Sequence, residues 1–235
     1  DKIEVKAVAL MFRALQNADV RLGYAQYNKW TTNPYRFEIS DNTGTREIGF
    51  FRFTELTAGT RIAIGERFAE TANRRMSLGT KYPVLWLQLT RGVKDLGGGM
   101  FNYSRIDSKI EKTLYTIGLG KTGFQVAAGY RDGNIPYSNL YNGHGSNKTF
   151  TILAENSFQT AGMNEFLMNE YVAVHVNHNF GKLLYKGRKW FKPELLWINN
   201  FGWGRLANAA AHKHIYVKKM EKELIRKYTK LLENG

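Results

Sequence analysis

The groups in this chain that could do chemistry are five histidines, a few scattered carboxylates and one glycine-rich turn. His175 and His178 are three residues apart, which puts them on opposite faces of a strand, so they cannot share a metal ion there. His212 and His214 can share a face if the chain is extended, but two ligands make an incomplete site. The run Gly118-Leu119-Gly120-Lys121-Thr122-Gly123 resembles a phosphate-binding loop, yet that spacing needs a glycine five residues before the Gly-Lys pair, where Tyr115 stands. It reads as a β-turn. Glu155, Glu165, Glu170 and Glu194 stand apart from one another, and no Ser-His-Asp grouping, HExxH or paired-carboxylate signature is present. Asn147-Lys148-Thr149 matches a glycosylation sequon, a pattern common by chance. The expectation is a protein with no catalytic residues, no metal and no cofactor.

The elements that carry these residues alternate. Across Tyr171 to Phe180, Val172, Val174 and Val176 share one parity, and Tyr171, Ala173, His175, Asn177 and Asn179 share the other. In a strand that gives one aliphatic face and one polar face. Tyr82 to Thr90 repeats the pattern, with Leu85, Leu87 and Leu89 opposite Trp86, Gln88 and Thr90, and Pro83 at the start where a missing amide donor is tolerated. Further strands are expected around 3–10, 20–25, 35–40, 46–53, 100–118, 122–131, 149–156 and 193–201. Asp41-Asn42-Thr43-Gly44 marks a tight hairpin. Turns or loops are expected at 29–34, 70–79, 96–99 and 132–147.

Composition excludes several classes. The chain has 235 residues, 43% of them hydrophobic, and a mean hydropathy of −0.42, so nothing approaches the roughly 18 apolar residues of a spanning helix. A spanning strand needs only about 9–11 residues with half of them apolar. Aromatics are 14%, and 23 Gly stand against 4 Pro, which suits large antiparallel sheets with interfacial aromatic girdles. The absence of cysteine disfavours a disulfide scaffold or a zinc ribbon. The start, Asp1-Lys2-Ile3-Glu4, shows no signal peptide and reads as a mature or internal segment if the protein is exported. The net charge of +14 suggests a nearby polyanion, with basic residues in turns (Arg74-Arg75, Lys186 to Lys189) and in the tail after His212. Residues 215–232 space Met220, Leu224, Tyr228 and Leu231 as a basic amphipathic helix. The organisation expected is β-strands and loops over 1–211 and a helical tail over 212–235.

Several stretches, in order, resemble one family: Arg75-Met76-Ser77-Leu78-Gly79-Thr80-Lys81-Tyr82-Pro83, Leu87-Gln88-Leu89-Thr90-Arg91-Gly92, Gly133-Asn134-Ile135-Pro136-Tyr137 with Leu140, Asn164-Glu165-Phe166 leading into Glu170-Tyr171-Val172, and His178-Asn179-Phe180-Gly181-Lys182-Leu183-Leu184. From about Glu47 onward the chain is similar to the C-terminal β-barrel of Bacteroidota outer-membrane proteins that carry an N-terminal carboxypeptidase-regulatory-like domain, a family of unknown function. The resemblance implies an antiparallel transmembrane barrel in the bacterial outer membrane and offers no catalytic residues. Set against that family, the regulatory-like domain and the first barrel strands are expected to fall outside this sequence, and its end is expected to be a basic helical stretch, not a closing strand.

The resulting expectation is an all-β, antiparallel transmembrane barrel, whole or partial, with a short C-terminal helix and a structural, transport or envelope-assembly role. Leu85, Leu87, Leu89, Val172, Val174 and Val176 then face lipid, and Gln88, Thr90, His175, Asn177 and Asn179 face the lumen. Partners are outer-membrane lipid, lipopolysaccharide and other envelope proteins, and no nucleic acid. An arginine at 174 is expected to block assembly and one at 175 to be better tolerated. The competing expectations are a soluble basic sheet that binds a polyanion such as nucleic acid, and a lipocalin-type barrel with its apolar face inward.

Overall fold

The computed structural model describes residues 2–30, 37–41, 44–71, 74–142, 166–181 and 194–207. Within them lie fourteen strands: β1 (Lys2–Leu15), β2 (Ala18–Trp30), β3 (Phe37–Asp41), β4 (Gly44–Ile48), β5 (Phe50–Ala63), β6 (Phe68–Thr71), β7 (Arg74–Ser77), β8 (Val84–Gly92), β9 (Tyr103–Thr116), β10 (Gly120–Arg131), β11 (Tyr141–Asn142), β12 (Leu167–Met168), β13 (Glu170–Asn179) and β14 (Leu196–Arg205). Eight long strands pair antiparallel in the order β1-β2-β5-β8-β9-β10-β13-β14. The other six form three small two-stranded ladders, β3-β4, β6-β7 and β11-β12. The chain is all-β among the described residues, as its alternation predicts.

The barrel expectation is met only in part. β1 and β14 each have one paired neighbour, so the described sheet ends on two open edges and is not closed by a ladder between them. The expected loop at 70–79 overlaps the β6-β7 hairpin, in which Phe68 pairs with Ser77. Lys29 and Trp30, placed in a turn by their polar neighbours, extend β2 opposite Phe51 and Phe50. The expected strand at 46–53 is two, because β4 ends at Ile48 and β5 starts at Phe50. The strand expected at 149–156 and the helical tail at 212–235 lie outside the described residues.

Register assigns every long strand two faces. Asp41 pairs with Gly44 across the predicted hairpin. Thr116 pairs with Gly120 across a three-residue turn whose Gly118 has φ +79, a conformation that glycine adopts without a Cβ clash. From that register Lys121 belongs to a strand of an antiparallel hairpin, which disposes of the phosphate-loop resemblance. One face carries Val8, Leu10, Phe12, Val20, Leu22, Leu56, Ile62, Leu85, Leu87, Leu89, Ile106, Ile110, Phe124, Val126, Val172, Val174, Val176, Phe201 and Trp203. Most of these are exposed, Leu89 by 47% and Phe201 by 64%. We call it the outer face.

The outer face turns polar towards one end of the sheet. There Arg52 Nε donates to Asn28 Oδ1 at 2.9 Å, Arg91 Nη1 donates to Ser104 Oγ at 2.5 Å, and Arg205 pairs with Glu170. The opposite face is concave at this end and filled. Phe51, Phe53 and Tyr103 project into a buried cluster with Phe37, Phe101, Ile135, Leu140 and Leu167. Phe53 stacks on Phe101 with centroids 5.0 Å apart. The segment Ile135–Leu140 is thereby tucked against the inner face, and Lys29 Nζ holds it by donating to Ser138 O at 2.8 Å.

Candidate functional site

Beyond the aromatic core the inner face borders a cavity of about 1200 Å³, lined from Met11 and Arg13 of β1 round to Gly202 and Gly204 of β14. The sheet therefore curls far enough for its two edge strands to face one space. Its walls carry Arg13, Arg21, Arg61, Arg105 and Lys109 against Asp19 and Asp107, with Trp86, Gln88, Gln125, Tyr141, Tyr171 and His175 between them. The inner face is basic, and its charges are organised in two networks.

The first network runs over Trp86. Arg13 Nε meets Asp19 Oδ1 at 3.1 Å, and Arg61 Nη1 meets Asp19 Oδ2 at 3.6 Å. Arg61 also clamps Glu66, with Nη1 to Oε2 and Nη2 to Oε1 both 2.6 Å. The Arg61 guanidinium lies 5.2 Å from the Trp86 ring and Lys109 Nζ lies 4.7 Å from it. Lys109 pairs with Glu111 at 2.7 Å, and Trp86 Nε1 donates to Glu111 Oε2 at 3.2 Å. A fork of two N–H donors suits a carboxylate, and the indole face attracts cations, so each contact supports its neighbour.

Arg61 hydrogen bonds hold the Glu66 carboxyl below the ordinary carboxylate range against the opposing effect of burial, with help from Ser77. A depressed carboxylate contributes stability above its unfolded pKa and loses it as pH falls through the folded one. Acidification through that window is expected to loosen the β5-β6 turn. Glu66→Gln is expected to destabilise the protein at neutral pH and to flatten this part of the acid profile, read as the unfolding midpoint from pH 7 to pH 3. An unchanged acid profile in Glu66→Gln would remove the clamp from the account.

The second network lies nearer the aromatic core. Arg105 Nε meets Asp107 Oδ2 at 2.5 Å, and the Tyr141 hydroxyl donates to Asp107 Oδ1 at 2.7 Å. Burial, followed by Asp107, pushes the Tyr141 phenol up, so it stays a donor. Tyr103 donates to Glu55. Tyr141 and Tyr171 pack edge to face at 4.8 Å over Gly129, where an added Cβ would lie 2.5 Å from the Tyr171 ring. The rings cover a glycine on the neighbouring strand and replace the packing it lacks.

A family described as the C-terminal domain of a family of unknown function (DUF5686) matches residues 13–208. The chain belongs to that family. No curated protein matches it. The matched span takes in β2 to β14 and therefore almost the whole cavity wall of this DUF5686 domain.

The residues singled out by alternation fall on two faces of the DUF5686 sheet. Gln88, Thr90, His175, Asn177 and Asn179 all belong to the inner face: Gln88 pairs with Asp107, Thr90 with Arg105, His175 with Gln125 and Asn200, Asn177 with Gly123, and Asn179 with Lys121. They do not form one cluster. Gln88 and His175 line the cavity, Thr90 sits beside Thr57, and Asn179 is at the far turn, where it donates to Glu194 Oε2 at 2.8 Å. Leu85, Leu87, Leu89, Val172, Val174 and Val176 all belong to the outer face.

His175 is buried with Nδ1 2.7 Å from Asn200 Oδ1, while His178 points the other way, onto Thr122 and the Leu119 carbonyl. The described residues hold no cluster of three metal-ligating side chains. His212, His214 and the sequon at Asn147 lie outside them. Arg61, Glu66, Arg105, Asp107, Arg131 and Tyr141 were not anticipated. Their one signal was parity, because Arg105, Asp107 and Lys109 share a face of β9.

Proposed function

We propose that this DUF5686 domain is an integral β-barrel segment of the bacterial outer membrane in Bacteroidota, with a structural, transport or envelope-assembly role and no catalysis. The observation that carries this is the outer face. Its aliphatic and aromatic side chains recur on all eight long strands and stand exposed. A soluble protein rarely exposes a contiguous apolar patch beyond a few hundred Å², and a lipid-facing band flanked by polar residues is what a spanning strand presents. No described helix is long and apolar enough to cross a membrane, so strands would do the crossing. The basic, ion-paired inner face suits a wet lumen, and it argues against the lipocalin alternative, whose interior would be apolar. In this reading the open edges of β1 and β14 require further strands or a partner chain, because unpaired backbone is not tolerated in lipid.

Membrane fractionation of the expressed chain, followed by migration on a gel with and without heating, tests the reading. Detergent-dependent recovery with a heat-shifted band is the expected result. A monodisperse protein recovered without detergent would overturn it and favour a soluble sheet that uses its basic face for a polyanion, with affinity falling steeply in salt.

A further inference from the structure

Arg131 is the most unusual polar residue of the inner face. It is 3% exposed, and among the described residues neither its Nε nor its Nη1 has a hydrogen-bond partner. It ends β10 directly opposite Arg105 of β9, a like-charge pairing that destabilises a ladder unless something offsets it. The two guanidinium carbons lie 5.0 Å and 5.2 Å from the ring centroid of Tyr141, and that of Arg131 lies 5.6 Å from the ring of Tyr103. Lys29 enters the same end from β2, with its Nζ 5.2 Å from Phe53. Among the described residues two carboxylates answer these three cations. Glu55 is engaged by the Tyr103 hydroxyl and Asp107 by Arg105 and Tyr141. Among the described residues one positive charge is left over in a water-poor place, together with unfilled N–H donors.

From this geometry we propose that Arg131 and Arg105 form the binding site of a small oxyanion, the carboxylate or phosphate group of a solute that enters from the cavity. Guanidinium groups match both oxyanions in shape and donor geometry. Arg105, Asp107 and Tyr141 line the cavity and give the anion its way in. The oxyanion supplies the one negative charge the cluster lacks and accepts from the unpaired N–H groups of Arg131. This inference does not rest on the membrane reading, because the site belongs to the inner face whatever medium covers the outer one.

The test is thermal unfolding, followed by tryptophan fluorescence, of the full chain in whichever medium keeps it monodisperse. Sodium chloride is replaced stepwise by sodium phosphate, or by sodium acetate, at constant ionic strength. A saturable rise of the midpoint by roughly 3–8 °C is expected with at least one of them. A response to phosphate alone assigns a phosphate-bearing solute, and one to acetate alone assigns a carboxylate. Arg131→Gln is expected to lose the response, and Arg91→Gln, on the outer face of the same sheet, to keep it. Should Arg131→Gln fail to fold, Arg105→Gln and the broadening of the phosphate ³¹P line by the wild-type chain decide instead. Phosphate and acetate acting no differently from chloride, or a full response in the arginine variants, would overturn the site.

Discussion

Leu87→Arg is expected to abolish the heat-shifted, membrane-inserted form, while Gln88→Arg, one residue along the same strand, leaves most of it intact. Both side chains are exposed, and they project from opposite faces of β8. Leu87 lies between Thr60 and Ser108 on the outer face, within the apolar band. If lipid covers that face, a midplane arginine costs roughly 2–4 kcal/mol, enough to defeat a marginal insertion. Gln88 faces the cavity opposite Asp107, where a guanidinium finds water and a carboxylate. In a soluble sheet the order changes, because an arginine in place of an exposed leucine shifts stability by about 0.5 kcal/mol or less. Equal behaviour of the two variants would therefore count against lipid on the outer face. Val174→Arg is expected to act as Leu87→Arg does. His175→Arg, which alternation alone makes the natural control, is a poor one: His175 is 4% exposed and bonded to Asn200, so an arginine there must break packing whatever the outer face meets.

The two faces were legible in the sequence because side-chain parity in a strand has a period of two and needs no knowledge of partners. Val172, Val174 and Val176 separate from His175, Asn177 and Asn179 on that ground alone, and pairing with β10 and β14 keeps the separation. The β3-β4 hairpin was legible for a local reason too, the positive-φ tolerance of Asn and Gly. The β6-β7 hairpin was not, since Phe68 to Ser77 mixes apolar and polar residues with no sustained alternation and its strands are four residues each. Local pattern carries too little weight over so short a span. The charge networks were the largest gap. Arg61 reaches Glu66 across a turn, whereas Arg105 meets Arg131 and Tyr141 only because β9, β10 and the connection after β10 converge. Such meetings depend on the register a hairpin adopts and on where the connection after it folds back, which residue type and spacing do not encode.

Phe53→Ala is the substitution expected to cost the folded state most. Phe53 is 1% exposed, stacked on Phe101 at 5.0 Å and edge-on to Tyr103 at 6.2 Å. Removing a fully buried ring loses its transfer free energy and leaves a cavity, together about 3–5 kcal/mol. The local consequences go beyond volume. Lys29 loses the aromatic face beneath its ammonium group, and with it part of what positions the Nζ that holds Ser138. The Ile135–Leu140 segment is packed on the same cluster, so its retention at the inner face weakens along with the core. Two readouts separate these effects: the unfolding midpoint reports the core, and protease cleavage within 135–140 reports release of the segment. Phe201→Ala supplies the comparison, since it removes the same ring from the outer face, where Phe201 is 64% exposed. A smaller loss is expected there, because little protein packs against that ring. If Phe201→Ala proved as costly as Phe53→Ala, the outer face would have to be buried against protein, and a second sheet or chain, not lipid, would be its cover.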